Sequence, residues 1–117
     1  MARCLALALI AFLAPPPSLV MATTYDLNWE AGVDYTAWVA QNTFFAGDVL
    51  NFHYDISLHN IIIATDGDAF DQCIMKPNLG RYSSGDEALT LDEAGNYYFM
   101  CGYDCKSNGM KMLVPVN

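Results

Sequence analysis

Residues 95–111 decide the fold, and in one-letter code they read GNYYFMCGYDCKSNGMK. The aromatic and apolar run from Tyr97 to Cys101 is typical of a β-strand. A second cysteine, Cys105, follows after a tight loop, and a further apolar run extends from Met110 to Val116. The stretch therefore predicts two strands joined by a short loop. Cys101 and Met110 stand at the ends of this loop, and Cys105 lies within it.

Short runs of the same kind recur upstream, separated by turns rich in Gly and Asp. Residues 49–54 alternate between apolar and polar side chains, as a half-buried strand does. Further strands are predicted at 58–64 and 88–91, whereas 35–39 predicts one helical turn or a loop. Strands at this spacing predict an all-β, antiparallel Greek-key β-sandwich of one domain. The aromatic side chains expected in its core are Trp38, Phe44, Phe45, Phe52, Tyr54, Tyr97 and Phe99.

Residues 1–22 predict a secretory signal peptide. Arg3 supplies a positive start, Leu5 to Ala14 form an apolar run, and small or modest residues lead up to Ala22. We expect cleavage after Ala22, which leaves residues 23–117 as one secreted, extracellular domain. The alternative is an uncleaved membrane anchor, for which the apolar run is short. No hydrophobic C-terminal tail for a lipid anchor is expected either.

The charge of the expected mature protein is strongly negative. All 13 acidic residues follow Ala22, and with Arg3 removed four of the five basic residues remain, so the net charge is about −9. Such a surface repels nucleic acid and anionic lipid, and we therefore expect neither as a partner. The four remaining basic residues are Lys76, Arg81, Lys106 and Lys111.

The number of cysteines is informative. Of the four, Cys4 belongs to the predicted signal peptide, which leaves Cys73, Cys101 and Cys105. In an oxidising compartment two of them should form a disulfide, and one is left over. The odd cysteine is then an intermolecular bridge, a buried inert thiol or a metal ligand.

Three soft or nitrogen donors stand near predicted strand ends. Cys101 offers a thiolate, Met110 a thioether and His59, far upstream, an imidazole. A thiolate and imidazole in a trigonal plane with a weak axial thioether are the components of a blue-copper site. Taken singly, each residue has an ordinary structural reading: a hydrogen-bonded histidine, an inert thiol and a core methionine.

The order of motifs resembles that of the phytocyanins, the plant blue-copper family that is plastocyanin-like and includes early-nodulin-like proteins. The resemblance covers essentially residues 24–116. It implies a cupredoxin-like fold. The motifs that carry it are Trp38, then Phe45-Ala46-Gly47-Asp48-Val49-Leu50 with Phe52 and Tyr54, His59-Asn60-Ile61, Phe70 with Cys73, Ser84-Gly85-Asp86, Leu91, Gly95 with Tyr97-Tyr98-Phe99 and Cys101, Cys105, and Gly109-Met110-Lys111.

The resemblance also implies roles for individual residues. Cys73 and Cys105 would form the disulfide and leave Cys101 as the thiolate ligand. His59 would be the first imidazole ligand and Met110 the axial thioether. The family has a second histidine directly before the second disulfide cysteine, and in this chain that position is Asp104. The loop from Cys101 to Cys105 is also about two residues shorter than is usual in the family, which is a second departure from its trigonal copper site.

Two residues could replace the missing imidazole. His53 lies beside Phe52 and Tyr54, and strand alternation points it away from the core, so we do not expect it to be a ligand. Asp104 is a hard oxygen donor that suits a reversible copper couple poorly, and a His/Cys/Asp set could instead hold Zn²⁺. Asp104 is therefore a doubtful ligand, and an ordinary loop acid is the alternative.

Two functions follow from this pattern. The first is a secreted copper-binding and electron-transfer protein, whose copper site is incomplete and whose copper binding is weakened or lost by Asp104. The alternative is a copper-free extracellular binding or structural module of the early-nodulin-like type. We expect a monomer that meets a redox partner or a cell-wall or other extracellular ligand. No nearby cation would activate Cys101 as a catalytic thiol, so we do not expect an enzyme.

Overall fold

Seven strands and three short helices make up the part of the chain that the structure describes. This computed structural model describes residues 21–117. The signal peptide predicted at residues 1–22 thus lies outside the described residues except for its last two. The strands are β1 (Thr24–Asn28), β2 (Val49–His53), β3 (Ile61–Ala64), β4 (Asn78–Tyr82), β5 (Asp86–Thr90), β6 (Gly95–Met100) and β7 (Lys111–Val116), and the helices are α1 (Tyr35–Ala40), α2 (Gly67–Asp71) and α3 (Cys105–Asn108).

The strands form two sheets with the core between them. One sheet has the order β1-β2-β5 and the other β4-β3-β6-β7. All pairs are antiparallel except β1 with β2. A parallel pair needs a long crossover, and the segment that contains α1 provides it. The prediction of an all-β, mostly antiparallel sandwich is confirmed, with this one parallel pair as the exception.

Alternation along the strands produces the core. Leu50 and Phe52 of β2 are buried and face Phe99 of β6 and Val114 of β7, in one apolar cluster drawn from both sheets. Phe52 and Phe99 are two of the seven aromatic residues predicted to be in the core. The other five differ in burial. Phe44 is buried, Trp38, Tyr54 and Tyr97 are partly buried against the core, and Phe45 is 51% exposed, so that last prediction is wrong.

Two strands and the start of a third differ most from the sequence prediction. β1 and β4 were not predicted, because each has five residues with few β-branched side chains, and β4 contains a glycine. The run predicted at 58–64 forms a strand only from Ile61. His59 therefore lies in the loop directly before β3 and not within a strand. In residues 21–117 no helix is long and apolar enough to cross a membrane.

A disulfide joins the two helices that flank the second sheet. Cys73, just after α2, is bonded to Cys105, the first residue of α3, and Cys101 is a free, buried thiol. This confirms the pairing that the family resemblance implied.

Replacing both Cys73 and Cys105 by serine should lower the free energy of unfolding by roughly 3–4 kcal/mol, because the bond closes a loop with a sequence separation of 32 residues in the unfolded chain. Denaturant unfolding of the two proteins measures the difference. As a control on the pairing, peptide mapping after alkylation should find label on Cys101 only when the protein is denatured. A disulfide that includes Cys101 would contradict this structure.

A histidine joins three neighbouring strands on the outer side of the first sheet. His53 Nε2 lies 3.1 Å from Asp26 Oδ1 of β1, and His53 Nδ1 lies 2.8 Å from Asp86 Oδ1 of β5. The hydrogen bond with Asp26, with a further contribution from the charge of Asp86, raises the pKa of His53. The same bond, together with one from Asn51, lowers the pKa of Asp26.

The two carboxylates should stabilise the fold only while His53 is protonated. The raised pKa of His53 means that this stabilisation is complete below the unfolded imidazole pKa of about 6.5 and is lost as pH rises through the higher folded value. We expect the free energy of unfolding of the wild type to fall across that window relative to His53→Gln, whose side chain does not titrate. Denaturant unfolding from pH 5 to 9 measures both, and parallel pH profiles would contradict the assignment.

Candidate metal centre

Pairing between β3 and β6 brings the two ends of the site together. Ile62 pairs with Met100 and Ile63 with Phe99 in antiparallel register. His59 precedes the start of β3, and Cys101 follows the end of β6 directly. Because antiparallel strands place the start of one beside the end of the other, two residues 42 positions apart in the sequence meet at one end of the sandwich.

The loop from Cys101 to Met110 is closed by its own backbone. The amide of Cys101 donates to the carbonyl of Met110 at 3.0 Å, and the amide of Met110 donates to the carbonyl of Asp104 at 3.2 Å. Helix α3 fills the interval, and Gly109 ends it in the left-handed conformation with φ of 62°. The loop therefore holds Cys101, Asp104 and Met110 in a fixed relation to one another.

Asn60 fixes this loop to the rest of the sandwich. Its side-chain Oδ1 accepts a 2.6 Å hydrogen bond from the amide of Gly102, and its main-chain carbonyl accepts one of 2.9 Å from Trp29 Nε1. Asn60 is 2% exposed and Trp29 1%. A Cβ at position 102 would lie 3.0 Å from Asn60 Oδ1, so a larger residue there would push the Asn60 side chain by a few tenths of an ångström.

Three donor atoms of different chemistry meet at this end of the molecule. His59 Nδ1 lies 3.7 Å from Cys101 Sγ and 2.9 Å from Asp104 Oδ2, and Cys101 Sγ lies 3.9 Å from Asp104 Oδ2. All three atoms are within 4.8 Å of one another, a spacing that one metal ion could bridge. Of the predicted site residues, the structure thus brings together His59, Cys101 and the doubtful Asp104.

The remaining candidates occupy different places. Met110 is buried, 2% exposed, and belongs to the same apolar cluster as Cys101. His53 is bonded through both ring nitrogens to Asp26 and Asp86 and is not part of the donor cluster. Its side chain is 44% exposed, in agreement with the strand alternation that pointed it away from the core.

Hydrogen bonds orient each polar member of the cluster. Asp104 Oδ1 accepts from Asn108 Nδ2 at 3.0 Å, which leaves Oδ2 to face His59. The amide of His59 donates to the carbonyl of Asp55 at 2.9 Å. The Ser57 hydroxyl and amide both donate to the Asp55 carboxylate and lower its pKa, so the turn before His59 is held by an ionised acid.

The cluster lies beneath an open, largely apolar surface. His59 is 8% exposed and Cys101 is fully buried, whereas Leu58 is 57% and Tyr103 61% exposed. These two apolar side chains line a shallow cleft with Ala31, His59 and Asp104. The imidazole edge and the carboxylate thus reach the cleft, together with the exposed Ser57.

Sequence reasoning missed the structural role of Asn60 and the closeness of Asp104 to His59. The signal for the second was present, because Asp104 occupies the position at which the family has a histidine. Asn60 offered no comparable signal, because the side-chain bond that it makes is to a backbone amide 42 residues away.

Comparisons with known proteins agree with this architecture. The family model described as "Plastocyanin-like domain" matches residues 27–110. Among curated proteins, the chain is similar to uclacyanin-2 of Arabidopsis thaliana, with 37% identity over 99% of this chain and 57% of the relative. It is also similar to uclacyanin-3 of the same plant, with 36% identity over 99% of this chain and 53% of the relative. The chain therefore spans little more than half the length of these relatives.

Solved structures give the same fold. The cucumber basic protein, a blue copper protein, superimposes with a TM-score of 0.71 and 28% identity over 81% of this chain and 100% of that one. Cucumber stellacyanin gives a TM-score of 0.71 and 27% identity over 82% of this chain and 96% of that one. The cupredoxin-like part of the fold prediction is thereby confirmed.

Removing the side chain of Asn60 should destabilise the protein without touching a donor atom. Asn60→Ala leaves the partly buried amide of Gly102 without its acceptor and empties part of a buried site, and we expect the free energy of unfolding to fall by about 1–3 kcal/mol. Asn96→Ala, on the exposed part of β6, is the matched control and should change it by less than about 0.5 kcal/mol. Equal effects of the two substitutions would show that the Asn60 bond does not support the loop.

Proposed function

Because this chain belongs to the phytocyanin family, we propose that it is a secreted, extracellular copper-binding domain in which Asp104 takes the place of one imidazole ligand. The family is one of electron-transfer carriers, and its members include blue copper proteins of Medicago truncatula and Pisum sativum. The observation that carries the proposal is the position of Asp104 Oδ2, 2.9 Å from His59 Nδ1 and 3.9 Å from Cys101 Sγ.

The donor set fits a copper ion in part. A thiolate, an imidazole and a nearby buried methionine are ligands that copper accepts in this fold, and copper bound by them can exchange one electron. Cys101 would hold the ion from the core side, His59 from the cleft, and Met110 would be the axial donor. The residues depart from the two-imidazole plan at Asp104 alone among the four positions that the family resemblance assigns.

The carboxylate should weaken copper binding and alter its preference. Oxygen is a hard donor, so Asp104 favours the divalent ion over the monovalent one. In addition, His59 Nδ1 and Asp104 Oδ2 already lie in contact, 2.9 Å apart, and a metal bound between them would have to replace that contact. We therefore propose weaker copper binding than a two-imidazole site gives, and an electron-transfer role that is reduced accordingly.

The same contact between His59 and Asp104 supports a second candidate, a copper-free extracellular binding or structural module. Within residues 21–117 no buried side-chain nitrogen or oxygen lacks a partner, so the centre satisfies its own polar groups. In either function we propose that the partner contacts the apolar cleft around Leu58 and Tyr103, because these side chains are exposed beside the centre.

Copper titration of the wild type and of Asp104→His separates the two candidates. We expect the wild type to bind one copper ion per chain at least about tenfold more weakly than Asp104→His, because loss of a ligand should cost no less than loss of an outer-shell partner. Metal analysis measures binding, and the visible band from thiolate to copper shows whether Cys101 is a ligand.

Two controls sharpen the titration. Asp92→Asn removes an exposed acid in the turn before β6, at the end of that strand away from Cys101, and it should leave copper affinity unchanged. Cys101→Ser should abolish the visible band in both backgrounds. If the wild type binds no copper and Asp104→His does, the copper-free module is the function. If neither protein binds copper, the assignment of His59, Cys101 and Met110 as ligands is wrong.

A further inference from the structure

Asp48 is a buried carboxylate that does not belong to the donor cluster. It is 3% exposed, and within residues 21–117 it is the one acidic side chain that is buried. Its Oδ2 accepts a 2.9 Å hydrogen bond from the amide of Phe45, and its Oδ1 accepts one of 2.9 Å from the backbone nitrogen of Thr23. No lysine, arginine or histidine of the described residues forms a salt bridge with it. A buried ion held only by neutral donors is costly.

The nitrogen of Thr23 has a fixed position. The carbonyl of Thr23 accepts a 2.9 Å hydrogen bond from the amide of Val49, and the next residue, Thr24, pairs with Val49 as the first position of β1. Asp48 is held in turn by Leu91, whose amide donates to its carbonyl at 2.8 Å. The contact between Thr23 and Asp48 is therefore set by residues that follow Thr23, and no residue before it is needed.

From this contact we infer that hydrolysis of the peptide bond between Ala22 and Thr23 creates an N-terminal ammonium group that forms a salt bridge with Asp48. In that step water adds to the carbonyl carbon of Ala22 and the C–N bond breaks. Ala22 keeps the new carboxylate, and the nitrogen of Thr23 takes up a proton. The catalyst is the protease class that removes export signals, for which residues 20–22 have the expected small or modest side chains.

Processing changes the charge and not the position of the donor. Before cleavage the nitrogen of Thr23 is a neutral amide, and afterwards it is an ammonium group at the same 2.9 Å contact. A charge-assisted hydrogen bond is roughly twice as strong as a neutral one. Removal of the leader thus supplies the cation that the buried Asp48 lacks, and the cleaved chain is more stable than a chain whose first nitrogen is uncharged.

The first test is the N-terminus of the exported protein. The full chain is produced in a plant or yeast cell that secretes it, and the recovered protein is analysed by N-terminal sequencing and intact mass. Thr23 as the first residue is the expected result. Cleavage at another bond, which would leave the nitrogen of Thr23 in a peptide bond or remove it, would overturn the inference.

The second test measures the charge on that nitrogen. Selective acetylation of the α-amine of the exported protein removes the charge, and we expect the unfolding midpoint to fall by roughly 5 °C. The same loss is expected in Asp66→Asn, a matched control, because Asp66 also accepts a backbone amide, that of Ala69, but does not contact Thr23. In Asp48→Asn acetylation should have no effect. An equal fall in all three proteins would overturn the salt bridge.

A third measurement needs no substitution, in case Asp48→Asn does not fold. An ammonium group in a salt bridge is acetylated more slowly than a free one, and we expect at least a tenfold difference in rate between the native and the urea-unfolded exported protein. Equal rates would overturn the inference. None of these tests involves copper, so their failure and a failure of the copper titration are separate results.

Discussion

The antiparallel pairing of β3 with β6 is the constraint on which the rest of this molecule depends. It joins the middle of the second sheet and places His59 and Cys101 at the same end of the sandwich. Asn60 then holds this end of the sandwich in place, because its side chain accepts a hydrogen bond from the loop after β6 and its carbonyl accepts one from the indole of Trp29. A shift of this register by one residue would reverse which side chains face the core. The donor cluster would then be lost along with the packing.

The architecture was largely predictable, because strand alternation is a local property. Residues 49–54 indicated their inward face through apolar side chains at every second position, and residues 97–101 indicated a strand through an unbroken aromatic and apolar run. β1 and β4 were missed because each becomes a strand only through its neighbour, which supplies the hydrogen bonds that its own side chains do not favour. Phe45 was misplaced for a related reason: it stands in a turn, where alternation no longer decides exposure.

For the centre, the chemistry of the donors could be predicted and their geometry could not. The three soft or nitrogen donors were identified from residue type and family position. What Asp104 does depends on the distance to His59 and on the bond from Asn108, which turns one carboxylate oxygen toward the imidazole. This arrangement joins His59, at the middle of the chain, with Asp104 and Asn108 in the loop between β6 and β7. A pattern of neighbouring residues in the sequence therefore cannot predict it. The centre is therefore a cluster of donors already in contact with one another, in which a bound ion must replace the existing contact between His59 and Asp104.

Burial of Cys101 affects how the protein forms its disulfide bond. Residues 21–117 contain three cysteines, and three single pairings among them are available to an oxidant. The free thiol is fully buried at the end of β6, where its amide is bonded to Met110, whereas Cys73 and Cys105 lie in a separate apolar cluster beside the second sheet. A bond from Cys101 to either of the others would pull the end of β6 out of the core. Core packing thus selects the correct disulfide. Chains with a wrong disulfide remain less folded and keep their sulfur atoms accessible, so thiol–disulfide exchange can continue until the core closes over Cys101.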